Sequence, residues 1–139
     1  MSETDPDLFL EAQDTVWDAV LGELTAGRKT SHWMWFIFPQ LAELGQSHIS
    51  QLYGIHDLAE ATDYLAQPKL RGRLVQVSQL ILTHHDKPAE SILGSVDAKK
   101  LKSSMTLFSC VPDAPEEFAL ILETFYDGQP CQRTLDLIR

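Results

Sequence analysis

Residues 7–26 read DLFLEAQDTVWDAVLGELTA. Their apolar side chains recur every three or four positions, which places them on one face of a helix. Asp5-Pro6 stands before this stretch and Gly27 follows it. Proline suits the first turn of a helix and glycine suits its C-terminal cap. The pattern therefore predicts a long amphipathic helix that ends at Ala26.

Helix start and stop signals continue along the chain. Asp57 and Glu60 form a capping-box pattern, so we expect a helix that begins after Asp57 and ends before Pro68, with another helix opening at Pro68. Asp97 has the residue type and position of an N-cap for a further helix, and residues 116–126 have the spacing of a last long one.

Two segments are less clear. The run 33–38, WMWFIF, suits either a buried strand or a buried helical turn, and its neighbours favour a helix. Residues 41–54 contain glycine breaks and predict an irregular or short helical connection. Because no long stretch alternates with a period of two, the sequence predicts an all-α fold. We expect a compact single-domain bundle of about six or seven helices spanning residues 1–139.

Composition and charge exclude several kinds of protein. The formal net charge is -9, which argues against generic nucleic-acid binding. Cys110 and Cys131 are too few for a disulfide framework and match no zinc spacing, so we expect reduced thiols and no metal. No phosphate-binding loop or dinucleotide glycine fingerprint indicates a cofactor. The N-terminus lacks a leader pattern and no stretch is long enough to span a membrane, so we expect a cytoplasmic protein.

The segment 27–35, GRKTSHWMW, concentrates cations, hydroxyls and indoles. Cations and hydroxyls suit a phosphate or carboxylate, and indole rings stack on a base. The segment therefore indicates a site for a small anionic, nucleotide-like ligand. The alternative is a solvated loop that leads into core aromatics. The candidate ligand-binding residues here are Arg28, Lys29, Ser31, His32, Trp33 and Trp35.

The segment 99–106, KKLKSSMT, is a second candidate anion site. On a helix, several of its lysines and hydroxyls share one side because they lie three or four residues apart. The alternative is an ordinary surface helix with solvated lysines. The candidate binding residues are Lys102, Ser103, Ser104 and Thr106.

Three residues are candidates for catalysis. Asp7 and Glu11 lie one helical turn apart, and a carboxylate pair can serve glycosidic chemistry, although such pairs are common on exposed helices. His32 is the candidate general acid or base, with a structural histidine as the alternative.

Four blocks of the sequence resemble the domain-of-unknown-function 1810 (DUF1810) family. The blocks are FLEAQ at 9–13, AGRKTSHWMWFIFPQ at 26–40, YGI at 53–55 and KSSMTLF at 102–108. The resemblance implies a compact all-helical protein without an established activity. Members are sometimes labelled calpastatin, a disordered inhibitor, but the apolar content of this chain predicts a folded core.

A weaker resemblance, to the NADAR family, supplies an enzymatic hypothesis. Asp7, Phe9, Ala12 and Gln13 are similar to a short helical motif of that family, which is proposed to process ADP-ribose derivatives. The resemblance implies that Arg28 and Lys29 would hold phosphates and that Trp33 or Trp35 would stack on a base. Asp7 or Glu11 would then stabilise a ribosyl cation or activate water.

We therefore expect a site for a phosphate-bearing, ADP-ribose-like ligand, with N-glycosidic hydrolysis as an accompanying hypothesis. The acidic first helix favours an alternative, a non-catalytic protein-interaction module. A third interpretation is purely structural: the tryptophans belong to the core and no ligand binds.

Overall fold

The computed structural model describes residues 5–138, which form nine α-helices and contain no strand. The helices are α1 (Pro6–Ala26), α2 (Met34–Ile37), α3 (His48–Tyr53), α4 (Leu58–Ala66), α5 (Pro68–Leu82), α6 (Ala89–Leu93), α7 (Ser95–Ser109), α8 (Glu116–Tyr126) and α9 (Gln132–Leu137). The all-α class is confirmed. The expected count of six or seven helices is too low, because short helices that periodicity cannot resolve occupy the connections.

Helix α1 begins and ends where the sequence predicts. The Asp5 carboxylate accepts a hydrogen bond from the backbone N–H of Asp7 at 3.0 Å, and Gly27 closes the helix in the left-handed conformation at φ 78°. Phe9, Val20 and Leu24 are buried on its inner face. Because both ends are capped, α1 is a rigid 21-residue element whose last turn presents Glu23 to the following loop.

Of the two predicted N-caps at Asp57 and Asp97, the first is confirmed and the second is wrong. The Asp57 carboxylate accepts a hydrogen bond from the backbone N–H of Glu60 at 2.9 Å and caps α4. Asp97 is not a cap, because α7 begins two residues earlier, at Ser95. Gly94, at φ 86°, ends α6 and turns the chain straight into α7. Asp97 consequently lies in the first turn of α7, where its carboxylate forms ion pairs with Lys29 and Lys100.

Helix α7 lies at the centre of the core. Leu101, Met105, Leu107 and Phe108 on this helix are fully buried, and it packs against α6, α8, α4 and α9. The buried apolar side chains of the described residues form one cluster that also includes Trp33. Within residues 5–138, no helix combines the length and the hydropathy needed to cross a membrane.

A parallel bridge between Leu41 and Ile55 fixes the segment that follows α2. The Ile55 N–H donates to the Gln40 carbonyl oxygen at 2.8 Å, and the Ala42 N–H donates to the Ile55 carbonyl oxygen at 2.9 Å. A Cβ on Gly54 would lie 2.4 Å from the Ala42 Cα, so only glycine permits this approach. The bridge thereby holds Gln40 in one position, facing the N-terminal half of α7.

Candidate functional site

The predicted phosphate loop is folded around the carboxylate of Glu23. Glu23 Oε1 accepts hydrogen bonds from the backbone N–H of Thr30 at 2.7 Å, from that of Ser31 at 2.9 Å and from Trp33 Nε1 at 3.1 Å. The Ser31 hydroxyl donates to Glu23 Oε2. Burial opposes ionisation, but these hydrogen bonds prevail and lower the pKa of Glu23 to about 2. Glu23 thus already accepts the Ser31 hydroxyl and two backbone N–H groups of the loop.

Lys29 is also engaged inside the protein. Its Nζ lies 2.8 Å from Asp97 Oδ2 and donates to the Ser31 carbonyl oxygen at 2.5 Å, with only 6% of the side chain exposed. It also lies 4.9 Å from the centre of the Trp33 ring. Lys29 therefore ties the loop to α7. Arg28 is exposed and lines neither of the two clefts described below.

Beside this loop lies a cleft of about 290 Å³ with a largely aromatic wall, here named the aromatic cleft. It is lined by Lys29, His32, Trp33, Met34, Trp35, Phe36, Ser47, Ile49, Asp97 and Lys100. Trp33 is a core side chain, 1% exposed, and Trp35 is 8% exposed. His32 is exposed at the rim. Four of the predicted ligand-binding residues therefore meet here, although one indole belongs to the core.

A second cleft, of about 330 Å³, lies between the start of α7 and α9 and is here named the basic cleft. It is lined by Gln40, Leu44, Val96, Lys99, Lys100, Ser103, Cys131 and Arg133. Three of these residues are cations and none is a carboxylate. Lys100 lines both clefts, and its Nζ lies 3.4 Å from Asp97 Oδ1. The two clefts therefore adjoin at Lys100.

Cys131 sits at the floor of the basic cleft, at the start of α9. Its backbone N–H donates to the Thr106 hydroxyl at 2.9 Å, and the Ser103 hydroxyl donates to its sulfur at 3.4 Å. Burial would raise the pKa of the thiol. Hydrogen bonds from the Ser103 hydroxyl and from the backbone N–H groups of Thr134 and Arg133 favour the thiolate, and the net effect is a lowered pKa.

Gln40 faces the same cleft with an unused donor. Its side chain is 2% exposed, and its Nε2 has no hydrogen-bond partner among residues 5–138. A buried amide without a partner costs free energy that a bound acceptor would recover. Gln40 therefore brings one unsatisfied donor to the wall of the basic cleft.

The four binding candidates on α7 have three different kinds of surroundings. Ser103 and Thr106 hold Cys131, as described above. The Lys102 Nζ lies 5.8 Å from the centre of the Tyr126 ring and lines neither cleft. Ser104 is fully buried, and its hydroxyl has no partner among the residues that the structure describes. The helix does contribute cations to a cleft, but through Lys99 and Lys100.

The candidate catalytic carboxylates line neither cleft. Asp7 and Glu11 are exposed in the first turns of α1, whereas the loop that follows Gly27 lies beyond its last turn. A helix of this length spans about 30 Å. The structure does not bring Asp7 or Glu11 together with Arg28, Lys29 or the tryptophans.

Several residues that line the clefts were not among the sequence candidates, including Gln40, Asp97, Lys100, Cys131 and Arg133. Gln40 ends the block 26–40 and Lys100 lies in the segment 99–106, but other residues of these two stretches were the binding candidates. Cys131 and Arg133 reach the site only because α9 packs on α7, a tertiary contact with no local pattern. Within residues 5–138, no group of three or more histidine, cysteine or acidic side chains is arranged to hold a metal ion.

Comparison with known proteins places the chain in a family. The model of the family described as "Protein of unknown function (DUF1810)" matches residues 3–138. The crystal structure of the conserved hypothetical protein Rv1873 from Mycobacterium tuberculosis superposes with a TM-score of 0.94, at 42% sequence identity and over 96% of each chain. No curated protein gave a significant match. The chain therefore belongs to the DUF1810 family of proteins of unknown function.

Proposed function

We propose that this protein binds a small phosphate-bearing, nucleotide-like ligand across the adjoining aromatic and basic clefts. One observation carries the proposal. In a chain with a net charge of -9, three cations line one cleft without a lining carboxylate, and one of them also borders an aromatic wall.

The basic cleft supports binding of the anionic end of the ligand. No carboxylate among residues 5–138 forms an ion pair with Lys99 or Arg133, whereas Lys29 and Lys100 both pair with Asp97. The Arg133 guanidinium donates to the Glu43 carbonyl oxygen at 3.3 Å, which holds it at the cleft while leaving further donors unused. Arginine binds phosphate through paired hydrogen bonds, and the Gln40 amide adds a neutral donor.

The aromatic cleft supports binding of a planar ring. Met34, Trp35 and Phe36 supply an apolar wall, and Ile49, which is 44% exposed, stands across from them at the rim. A base or nicotinamide-like ring buried there would lose contact with water and gain stacking contacts. Because Lys100 borders both clefts, one ligand with a ring and a phosphate could engage both.

We propose binding alone and not N-glycosidic hydrolysis. Hydrolysis would need a carboxylate near the sugar. Asp7 and Glu11 line neither cleft, and the Asp97 carboxylate is held by Lys29 and Lys100. Of the three sequence candidates for catalysis, only His32 lines the aromatic cleft.

Isothermal titration calorimetry with ADP-ribose, adenosine and pyrophosphate tests the proposal. ADP-ribose should bind more tightly than either fragment, because only it carries both a ring and phosphates. The double variant Lys99→Ala/Arg133→Ala should weaken ADP-ribose and pyrophosphate binding by at least about tenfold, or about 1.4 kcal/mol. It should leave adenosine binding unchanged.

Lys69→Ala/Arg71→Ala is the matched control. Both of its residues are exposed on α5, and the variant removes the same two charges away from the clefts. If both double variants weaken ADP-ribose equally, net charge and not the basic cleft explains the effect. If none of the three compounds binds at millimolar concentration, the proposed ligand class is wrong.

A second function, a protein-interaction module, is favoured by a separate observation. Asp7, Glu11, Asp14 and Asp18 are exposed at spacings of three and four residues, so they form an acidic stripe on α1. Arg73 pairs with Asp14 at 2.6 Å and leaves the other acids for a basic partner. Charge reversal in Glu11→Lys/Asp18→Lys should abolish co-purification of such a partner. A partner that is retained would not be bound through this stripe.

A further inference from the structure

Cys131 brings a thiol to the lining of the basic cleft, and the binding function proposed above makes no use of it. Helix α7 holds it in place. The Thr106 hydroxyl of α7 accepts its backbone N–H, and the Ser103 hydroxyl, one turn earlier, donates to its sulfur. The thiol is partly exposed. It is therefore both fixed in position and reachable from the cleft.

The surroundings of Cys131 favour an anionic partner molecule. Lys99, Lys100 and Arg133 line the same cleft, no acidic side chain lines it, and the buried Gln40 amide has no hydrogen-bond partner among the described residues. A cationic setting stabilises a thiolate and attracts anions to it. The Gln40 donor is an independent sign that the cleft accepts a polar group, because burial without a partner is unfavourable.

We propose that Cys131 is a modification site that forms a mixed disulfide with a small anionic disulfide of the glutathione type. The Cys131 thiolate attacks one sulfur of the disulfide. A new S–S bond forms to Cys131, the original S–S bond breaks, and the departing thiolate takes a proton from water. Cys131 is oxidised, the released thiol is the reduced product, and no other reactant is needed. The carboxylates of the attached group then face the cations of the cleft.

Cys110 provides an internal comparison. It is exposed just after α7, and burial of its thiol raises its pKa, with a hydrogen bond from Ser109 opposing the shift. The pKa of Cys131 is shifted in the opposite direction. Because the thiolate is the attacking species, exposure alone would favour Cys110, whereas the hydrogen bonds to its sulfur favour Cys131.

The test follows intact mass over time during incubation with oxidised glutathione, using Cys110→Ser and Cys131→Ser, with bis(2-hydroxyethyl) disulfide as a neutral reagent. Cys110→Ser should gain one glutathione about tenfold faster than Cys131→Ser. In Cys110→Ser/Lys99→Ala/Arg133→Ala, the ratio of the rates with the anionic and neutral disulfides should fall several-fold. Adding Lys69→Ala/Arg71→Ala to Cys110→Ser instead should leave that ratio unchanged.

Equal rates for the two cysteines, or a rate ratio that does not respond to Lys99→Ala/Arg133→Ala, would overturn the inference. The measurement contains no nucleotide, so its outcome is separate from that of the proposed function. Titration of ADP-ribose into Cys131→Ser, which keeps the cations and Gln40, reports on the binding proposal alone.

Discussion

The Glu23 carboxylate accepts four hydrogen bonds from the loop that the sequence suggests as a phosphate site. A loop with this many donors needs an acceptor, and an acid seven to ten residues earlier on α1 supplies it. The sequence could not reveal this pairing, because it depends on how the chain turns at Gly27. At the scale of one residue, the hydrogen-bond donors of this loop have an acceptor inside the protein.

Replacing Glu23 by glutamine should destabilise the protein in a pH-dependent way. The native pKa of about 2 lies below the ordinary value of 4.5. The ionised group therefore stabilises the fold fully above about pH 4.5, and this contribution declines as pH falls towards 2. With solvent screening, Glu23→Gln should lower the free energy of unfolding by about 1 kcal/mol at pH 7.

Urea unfolding at pH 7, 4 and 3 measures this difference. The gap between the parent protein and Glu23→Gln should narrow as the solution becomes more acidic. Glu123→Gln, at an exposed position on α8, serves as the control and should show no such gap. A Glu23→Gln gap that stays constant down to pH 3 would mean that the carboxylate charge does not stabilise the loop.

At the scale of elements, capping signals located most of the long helices. The Asp57 cap matches the start of α4 and the Pro68 signal matches the start of α5. The spacing of residues 116–126 matches α8. The prediction at Asp97 was wrong because Gly94 starts α7 first. The short α2 and α3 are set by packing around Trp35 and Tyr53, and a few residues show too little periodicity to reveal that.

The basic cleft was only partly predictable for a related reason. Lys99 and Lys100 stand in a visible run of lysines, so the sequence showed that cations gather there. Gln40 reaches the cleft through the Leu41–Ile55 bridge, and Cys131 reaches it through the packing of α9 on α7. These contacts join residues far apart in sequence, and no local pattern encodes them.

Substitution of glycine by alanine should change the stability of the protein in opposite directions within a helix and just after one. Gly27 has φ 78°, and an added Cβ would lie 2.8 Å from His84 Cε1, so Gly27→Ala should destabilise by about 1–2 kcal/mol. Gly72 lies within α5 with open space around its Cα, so Gly72→Ala should stabilise by about 0.5–1 kcal/mol. Thermal unfolding of both variants tests the signs. A stabilising Gly27→Ala would contradict the cap geometry.

At the scale of the whole molecule, the distribution of charge decides how the clefts operate. The chain has 20 acidic and 11 basic residues, and three of the basic ones line the basic cleft. Most of the surface therefore repels an anionic ligand at long range, and the cleft attracts it at contact. At an ionic strength of about 0.1 M, charges more than about 10 Å apart are largely screened. Local attraction in the cleft then outweighs the distant repulsion.

The same excess of negative charge should make the stability of the ligand-free protein depend on salt. Repulsion among the acids acts against the folded state, in which they are closer together than in the unfolded chain. Raising sodium chloride from about 0.02 M to about 0.5 M should therefore raise the melting temperature by a few degrees. Ion pairs such as that of Arg73 with Asp14 oppose this effect, but exposed pairs contribute only about 0–1 kcal/mol each.

Lys69→Ala/Arg71→Ala makes the net charge more negative, so its melting temperature should rise more steeply with salt than that of the parent protein. Differential scanning calorimetry measures both slopes. A melting temperature that falls with salt would show that ion pairs outweigh the net repulsion.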